Sequence, residues 1–238
     1  MFLLDKINSF NNCDFMNVFD IFLLICVYVY VGLIFIISKK LLSNRPSLSR
    51  KFVHIMVGNM IFVMPLFNDP YIMVYFLTLP LTIATLLFTK YSPIDLNTSV
   101  TEAGHDFGLF YYAGIWTVLI LIFPDKLWIV ALAIVSMVYG DGFASLIGEK
   151  VGRIKYNLTG DEKSLEGSLT MFVVVSVMAV FVWMFYKSIG TQMPIFNFIP
   201  IIIISLIATF AEAITPKGMD NISVCSVTAI GYFILTLI

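Results

Sequence analysis

The chain has 238 residues, 60% hydrophobic and 12% charged, with a mean hydropathy of +0.96 and a formal net charge of −1. A soluble domain carries about 25% charged residues, so the composition excludes an aqueous globular domain and points to one polytopic membrane domain. No basic tract suggests a nucleic-acid partner. Cys13, Cys26 and Cys225 lie far apart and form no CxxC, which argues against a disulfide framework or a zinc site. The N-terminus has no basic stretch followed by a cleavage site, so no removable signal peptide is read.

Residues 1–18 mix Phe2, Leu3, Leu4, Ile7, Phe10 and Phe15 with polar residues and fit an N-terminal interfacial helix. Residues 19–238 read as a single transmembrane domain. A span needs about 20 mostly apolar residues, and eight stretches qualify: 19–37, 52–67, 70–88, 107–123, 127–147, 168–187, 196–214 and 222–238. The second is short enough to be tilted or re-entrant. Pro65, Pro80 and Pro200 sit within or near spans, where they kink or cap helices. No strand signal and no repeat stands out. The expected fold is all-α, a polytopic integral membrane bundle of about 7–8 transmembrane helices.

Basic residues set the orientation. Lys39, Lys40, Arg45, Arg50 and Lys51 follow the first span, and Lys90 follows the third. Lys150, Arg153, Lys155 and Lys163 follow the fifth, and Lys217 follows the seventh. These are alternate loops, and the other side keeps only Lys6, Lys126 and Lys187. The polar loops are therefore expected in the cytoplasm, with both termini outside. The triplets at Asn97, Asn157 and Asn221 match a glycosylation acceptor but fall on the cytoplasmic side, so they read as chance. Trp116, Trp128 and Trp183 read as belt or packing residues.

The strongest polar groups gather in one layer. A helix rises about 1.5 Å per residue. Asp141 in the fifth span and Glu212 in the seventh therefore reach a similar depth near the cytoplasmic face. His54 lies about one turn inside the second span. Glu102, His105 and Asp106 precede the fourth span, Lys163 and Glu166 the sixth, and Asp220 and Asn221 the eighth. An Asp at the centre of a span costs about 2.5–3.5 kcal/mol on insertion scales. Such an acid must face a base, a cation, water or the protein interior. A structural salt bridge remains one reading, and a functional site is the other. Gly140, Ala144, Gly148 and Gly152 recur at intervals of four. This pattern serves close helix packing or lets a phosphate approach the backbone. Lys163-Ser164 lacks the glycine framework of a P-loop.

Acids and lysines at helix ends suit a metal–phosphate substrate. Mg²⁺ is held by one or two carboxylates plus phosphate oxygens, and phosphoryl transfer needs positioning and charge neutralisation. Helix N-termini add donors for phosphate. A second, lipid substrate would enter from the bilayer.

Four ordered motifs carry a family resemblance. Arg50-Lys51-Phe-Val-His54 is similar to the R-K-x-x-H motif of the dolichol kinase and phytol kinase family, which includes CTP-dependent diacylglycerol kinases. Gly140-Asp141-Gly-Phe-Ala144, with Gly148 and Gly152, resembles its G-D-x-x-A-x-x-x-G-x-x-x-G motif. Lys163-Ser164-Leu-Glu166-Gly167-Ser168 resembles K-S-x-E-G-S, and Glu212 with Asp220-Asn221 resembles the closing E…D-N. Gly108-Leu-Phe-Tyr-Tyr112 is similar to a family G-P-L-Y-Y stretch, with Leu109 where proline is usual, and Cys225 stands where the family often has proline.

The resemblance implies a membrane lipid kinase with its active site at the cytoplasmic face. It would phosphorylate a lipid alcohol (polyprenol or dolichol, a phytol-like prenol, or diacylglycerol) from a nucleoside triphosphate, CTP, with Mg²⁺. It places Asp141, Lys163 and Glu166 in catalysis, and Asp141, Glu212 and Asp220 at the metal. Arg50, Lys51, His54, Gly140, Gly148, Gly152, Ser164, Gly167, Ser168 and Asn221 would bind nucleotide and phosphate. Two other classes remain: a phosphatidate cytidylyltransferase-like enzyme forming a CDP-lipid, and an ion-coupled transporter with Asp141 and Glu212 as a relay. The sequence does not select the oligomeric state.

Overall fold

The structure is a computed structural model that describes residues 17–86, 107–159, 161–216 and 218–237. The expected interfacial segment, Lys90, Asn97, Glu102, His105, Asp106 and Lys217 lie outside the described residues.

Among the described residues eight helices follow one another: α1 Val18–Leu42, α2 Pro46–Val57, α3 Pro70–Leu86, α4 Gly108–Ile122, α5 Leu127–Val151, α6 Leu165–Ser188, α7 Phe198–Ile214 and α8 Asp220–Leu235. All but α2 track one of the eight apolar stretches of the sequence, and α2 overlaps only the start of the second. Three of them, α1, α5 and α6, are long and apolar enough to cross a membrane, and α3, α4, α7 and α8 are shorter apolar helices. The second stretch is not one helix. It passes from α2 into a 3₁₀ run at Gly58–Phe62 and a further turn at Met64–Leu66 that contains Pro65.

Helix boundaries follow capping chemistry. Asn17, Asp69, Ser164 and Asn197 each accept the N–H two or three residues on, opening α1, α3, α6 and α7. Gly190, at φ 84°, follows α6 in the left-handed region that glycine tolerates best. Pro80 lies inside α3 and has no N–H for the Phe76 carbonyl one turn back. The Tyr28 hydroxyl of α1 donates to that carbonyl instead. A π turn at Val74–Thr78 accompanies the defect.

The core is built on α5. Trp128 through Val135 are all buried, enclosed by α6, α8 and the 3₁₀ run after α2. α7 packs on α6 and α8, α4 on α3 and α8, and α1 on α2. Buried Tyr186 of α6 donates to the Ile61 carbonyl in the 3₁₀ run at 3.0 Å. Trp116 and Trp128 are buried packing residues, and the Trp183 ring N–H donates to the Pro194 carbonyl.

The expectation of no strands needs correction. Lys155–Asn157 and Glu162–Ser164 form an antiparallel hairpin, β1 and β2, between α5 and α6, pairing Tyr156 with Lys163. Each strand is three residues long and polar, so neither shows the apolar alternation that marks a half-buried strand.

Candidate active site

The end of α5 sets the geometry. A π turn spans Ser136–Asp141, and the α-helix resumes at Gly142. The wider turn re-aims the side chain at its end, and such bulges are frequent at functional sites. Asp141 is therefore placed where α7, α8, β2 and α2 converge. It interacts electrostatically with Asp220, Glu212, Lys163 and Lys51. Among the described residues its carboxylate has neither an ion pair nor a hydrogen bond.

The other charges are held. Lys163 on β2 reaches across to the end of α7, where its ammonium lies 2.6 Å from the Glu212 carboxylate. It also donates to the Glu212 carbonyl and, at 3.3 Å, to that of Thr215. These carbonyls belong to the last turn of α7, which has no helical partners to offer them. One lysine thus neutralises a buried acid and caps a helix. Lys51 is buried on α2 and pairs with Glu149 of α5. Asp220 opens α8 and is buried; its carboxylate accepts the N–H of Gly218 at 3.1 Å and of Asn221 at 2.9 Å. Gly218 has φ 90°, which lets the chain turn into that contact. The Asn221 amide donates to the Gly108 carbonyl at 3.1 Å, tying the starts of α8 and α4 together.

His54 and its neighbours form the wall. Its ring lies 4.5 Å from that of Tyr112, whose hydroxyl donates to the His54 carbonyl at 3.2 Å. His54 Nε2 is buried without a hydrogen-bond partner. The imidazole is also close to the Met137 carbonyl within the π turn and to the charge of Arg50. A second chain of contacts steadies the same turn. Tyr139 donates to the Asn59 side chain, whose amide donates to the Tyr30 hydroxyl at 2.8 Å.

The glycines bring backbones together. A Cβ on Gly140 would lie 2.6 Å from Val175 Cγ2, and one on Gly148 would lie 2.8 Å from Ser164 Oγ. On Gly152 it would lie 2.5 Å from the same oxygen, and on Gly167 2.9 Å from the Ala144 carbonyl oxygen. These positions line the α5–α6 contact. Ser164 caps α6 by accepting the Gly167 N–H at 3.1 Å, and Ser168 shares a 2.6 Å hydrogen bond with Tyr156. The Glu166 carboxylate is turned toward the hairpin, accepting the backbone N–H of Arg153 at 3.0 Å and of Ile154 at 3.3 Å.

Asp141, Lys163, Glu212, Asp220 and Lys51 therefore share one site, with His54 and Asn221 on its walls. Glu166, Ser168 and most of the glycines shape the elements around it. Tyr112 was noted in the sequence only as the end of the Gly108–Tyr112 stretch, and Glu149, Asn59 and Tyr139 were missed. Only Glu149 carried a usable signal, as an acid just past the motif aspartate on the same helix. Among the described residues no three His, Cys, Asp or Glu side chains stand close enough to hold a metal by themselves. The donors present are hard carboxylate oxygens, one of them unpartnered. They fit a Mg²⁺ ion that brings phosphate oxygens and water as its remaining ligands.

Fold and site together define a helical membrane protein with an acid–lysine cluster at one end of its bundle. The chain is 32% identical over 206 residues to a probable chloroplastic phytol kinase of Glycine max, covering 79% of this chain and 67% of that protein. It is 27% identical over 221 residues to the phytol kinase of a Synechocystis strain, covering 82% and 83%. A probable chloroplastic phytol kinase of Triticum aestivum is 30% identical over 212 residues, covering 80% and 68%. No family model and no solved structure matches. The chain belongs to the phytol kinase family.

Proposed function

We propose that this chain is a membrane prenol kinase that transfers the terminal phosphoryl group of CTP to the hydroxyl of a phytol-like alcohol, with Mg²⁺. The observation that carries the reading is the convergence on Asp141 of Glu212, Asp220, Lys163 and Lys51 from four other elements. The relatives, named as phytol kinases, favour a prenol over diacylglycerol or dolichol.

In this reading the alcohol hydroxyl lies against Asp141. The unpartnered carboxylate accepts its proton as the oxygen forms the new bond to phosphorus, and the nucleoside diphosphate leaves. Glu166 already accepts two backbone N–H groups, which leaves Asp141 as the better base. Lys163 and Lys51 offset phosphate charge, with Arg50 adjoining. Glu212 or Asp220, with the second oxygen of Asp141, would hold Mg²⁺ together with phosphate oxygens and water, and the ion when bound would neutralise and orient the phosphates. Ser164, Gly167 and Ser168 form the capped start of α6 beside the site and set the position of Lys163 next to them. Seven or eight helices span the bilayer, the acid–lysine end facing the cytoplasm and both termini outside.

The test uses purified protein in detergent with Mg²⁺, γ-labelled CTP or ATP, and phytol, dolichol or diacylglycerol. Label in extracted phytol, greater with CTP than with ATP, is the expected result. Transfer from α-labelled CTP to a lipid phosphate, with no kinase product, would instead establish a cytidylyltransferase.

A further inference from the structure

A cavity of about 500 Å³ lies on the seam between α4 and α8, at the end away from the Asp141 cluster. Its walls are mostly apolar, with Ile115, Val118 and Ile122 from one helix and Ala229, Ile230 and Phe233 from the other, and Asp125 and Lys126 line its far end. Its volume is in the range of small-molecule sites, about 300–1,000 Å³. The two helices run side by side in the same direction. At one end the Asn221 amide is bonded to the Gly108 carbonyl, beside the acid–lysine cluster. At the other end Phe123 and Phe233 meet with ring centroids 5.4 Å apart. Lys126 lies 5.2 Å from the centre of the Phe233 ring and donates to Thr236 at 2.9 Å. The seam therefore has a polar head and a closed floor, about 22 Å apart along α4. Its rim opens outward, since Val118, Ile122 and Ile230 are 47, 59 and 55% exposed.

We infer that the α4–α8 groove holds the hydrocarbon tail of the alcohol being phosphorylated, and that the Phe123–Phe233–Lys126 floor selects tail length. The inference rests on the kinase reading. An amphiphile with its hydroxyl at Asp141 has its tail directed along the bilayer normal, and this seam runs that way from the same cluster. The occupant is a single flexible chain long enough to pass the Gly108–Asn221 crossing and reach the cavity. A short prenol leaves the cavity unfilled and gains nothing from it.

The test has two readouts. Val118→Trp and Ile230→Trp fill the groove from its exposed rim and leave the buried core unchanged. Transfer to phytol should lose at least about tenfold in kcat/KM, a loss expected of a blocked apolar pocket, while transfer to geraniol is unchanged. Equal loss for both alcohols, or loss for neither, overturns the inference. Separately, a phytol analogue with a photoreactive group at its tail end should label residues 118–126 or 229–236 of the wild-type protein, with competition by phytol. Label elsewhere, or label competed equally by ordinary phospholipid, also overturns it. Wild-type protein that binds at the groove but transfers no phosphoryl group would instead count against the kinase reading.

Discussion

Lys163 has two duties that variants can separate. Its buried pair with Glu212 leaves an uncompensated charge if the lysine alone is removed, and such losses cost about 3–5 kcal/mol. Lys163→Met should therefore unfold at lower temperature in detergent. Adding Glu212→Gln should restore most of that stability, yet leave transfer abolished. A doubly substituted protein with normal turnover would limit Lys163 to a structural role. Asp141 has no such pair, so Asp141→Asn should insert and fold as the wild type does and show no turnover. Full activity in that variant would remove Asp141 from the chemistry. The sequence displayed these residues because charge inside an apolar run is conspicuous. It did not display their partners. The Lys51–Glu149 pair and the Tyr112–His54 contact join residues distant in sequence, and nothing in local spacing announces them.

At the level of elements, seven of the eight apolar stretches became single helices within a few residues at most ends, because continuous hydrophobicity is a long signal, and the second broke into the end of α2 and two 3₁₀ turns. The irregular pieces were hidden. The π turn at Ser136–Asp141 lies in an apolar region with no polar stripe whose phase could reveal an extra residue per turn. The hairpin strands are too short and too polar to show alternation. The glycine spacing was visible, but its purpose was divided between packing and phosphate approach. The Cβ distances show tight packing at every glycine of the repeat. Gly167→Ala should therefore separate α5 from α6, since its methyl group meets a backbone carbonyl oxygen that cannot swing aside. Overpacking of this kind costs about 1–3 kcal/mol. The expected readout is a lower melting temperature with weakened transfer. Gly32→Ala, with open space around it, serves as the silent control.

For the whole molecule, the positive residues give a direction that labelling can check. In a background with the native cysteines replaced, a cysteine at Lys155 should react from the cytosol and one at Asp125 from outside. These positions flank α5, a helix of 25 residues, or about 37 Å. Reaction of both from one side would mean that α5 does not span. The reverse pattern would put the acid–lysine end outside, away from cytosolic nucleotides.

The enclosure of α5 also bears on how the protein is made. Among the three long apolar helices, α5 has the lowest hydropathy, 1.8 against 2.8 for α1 and 2.3 for α6, and it is the most enclosed, with 72% of its apolar stretch buried. It carries Asp141, a residue that translocon scales penalise. It emerges from the ribosome before α6 and α8, which later cover it. During synthesis, then, the centre of the finished protein is, of its three long apolar helices, the one least able to stay in lipid unaided. Placed alone in a soluble host protein, residues 127–151 should insert into membranes less efficiently than residues 18–42 or 165–188, and equal insertion of the three would sink this account.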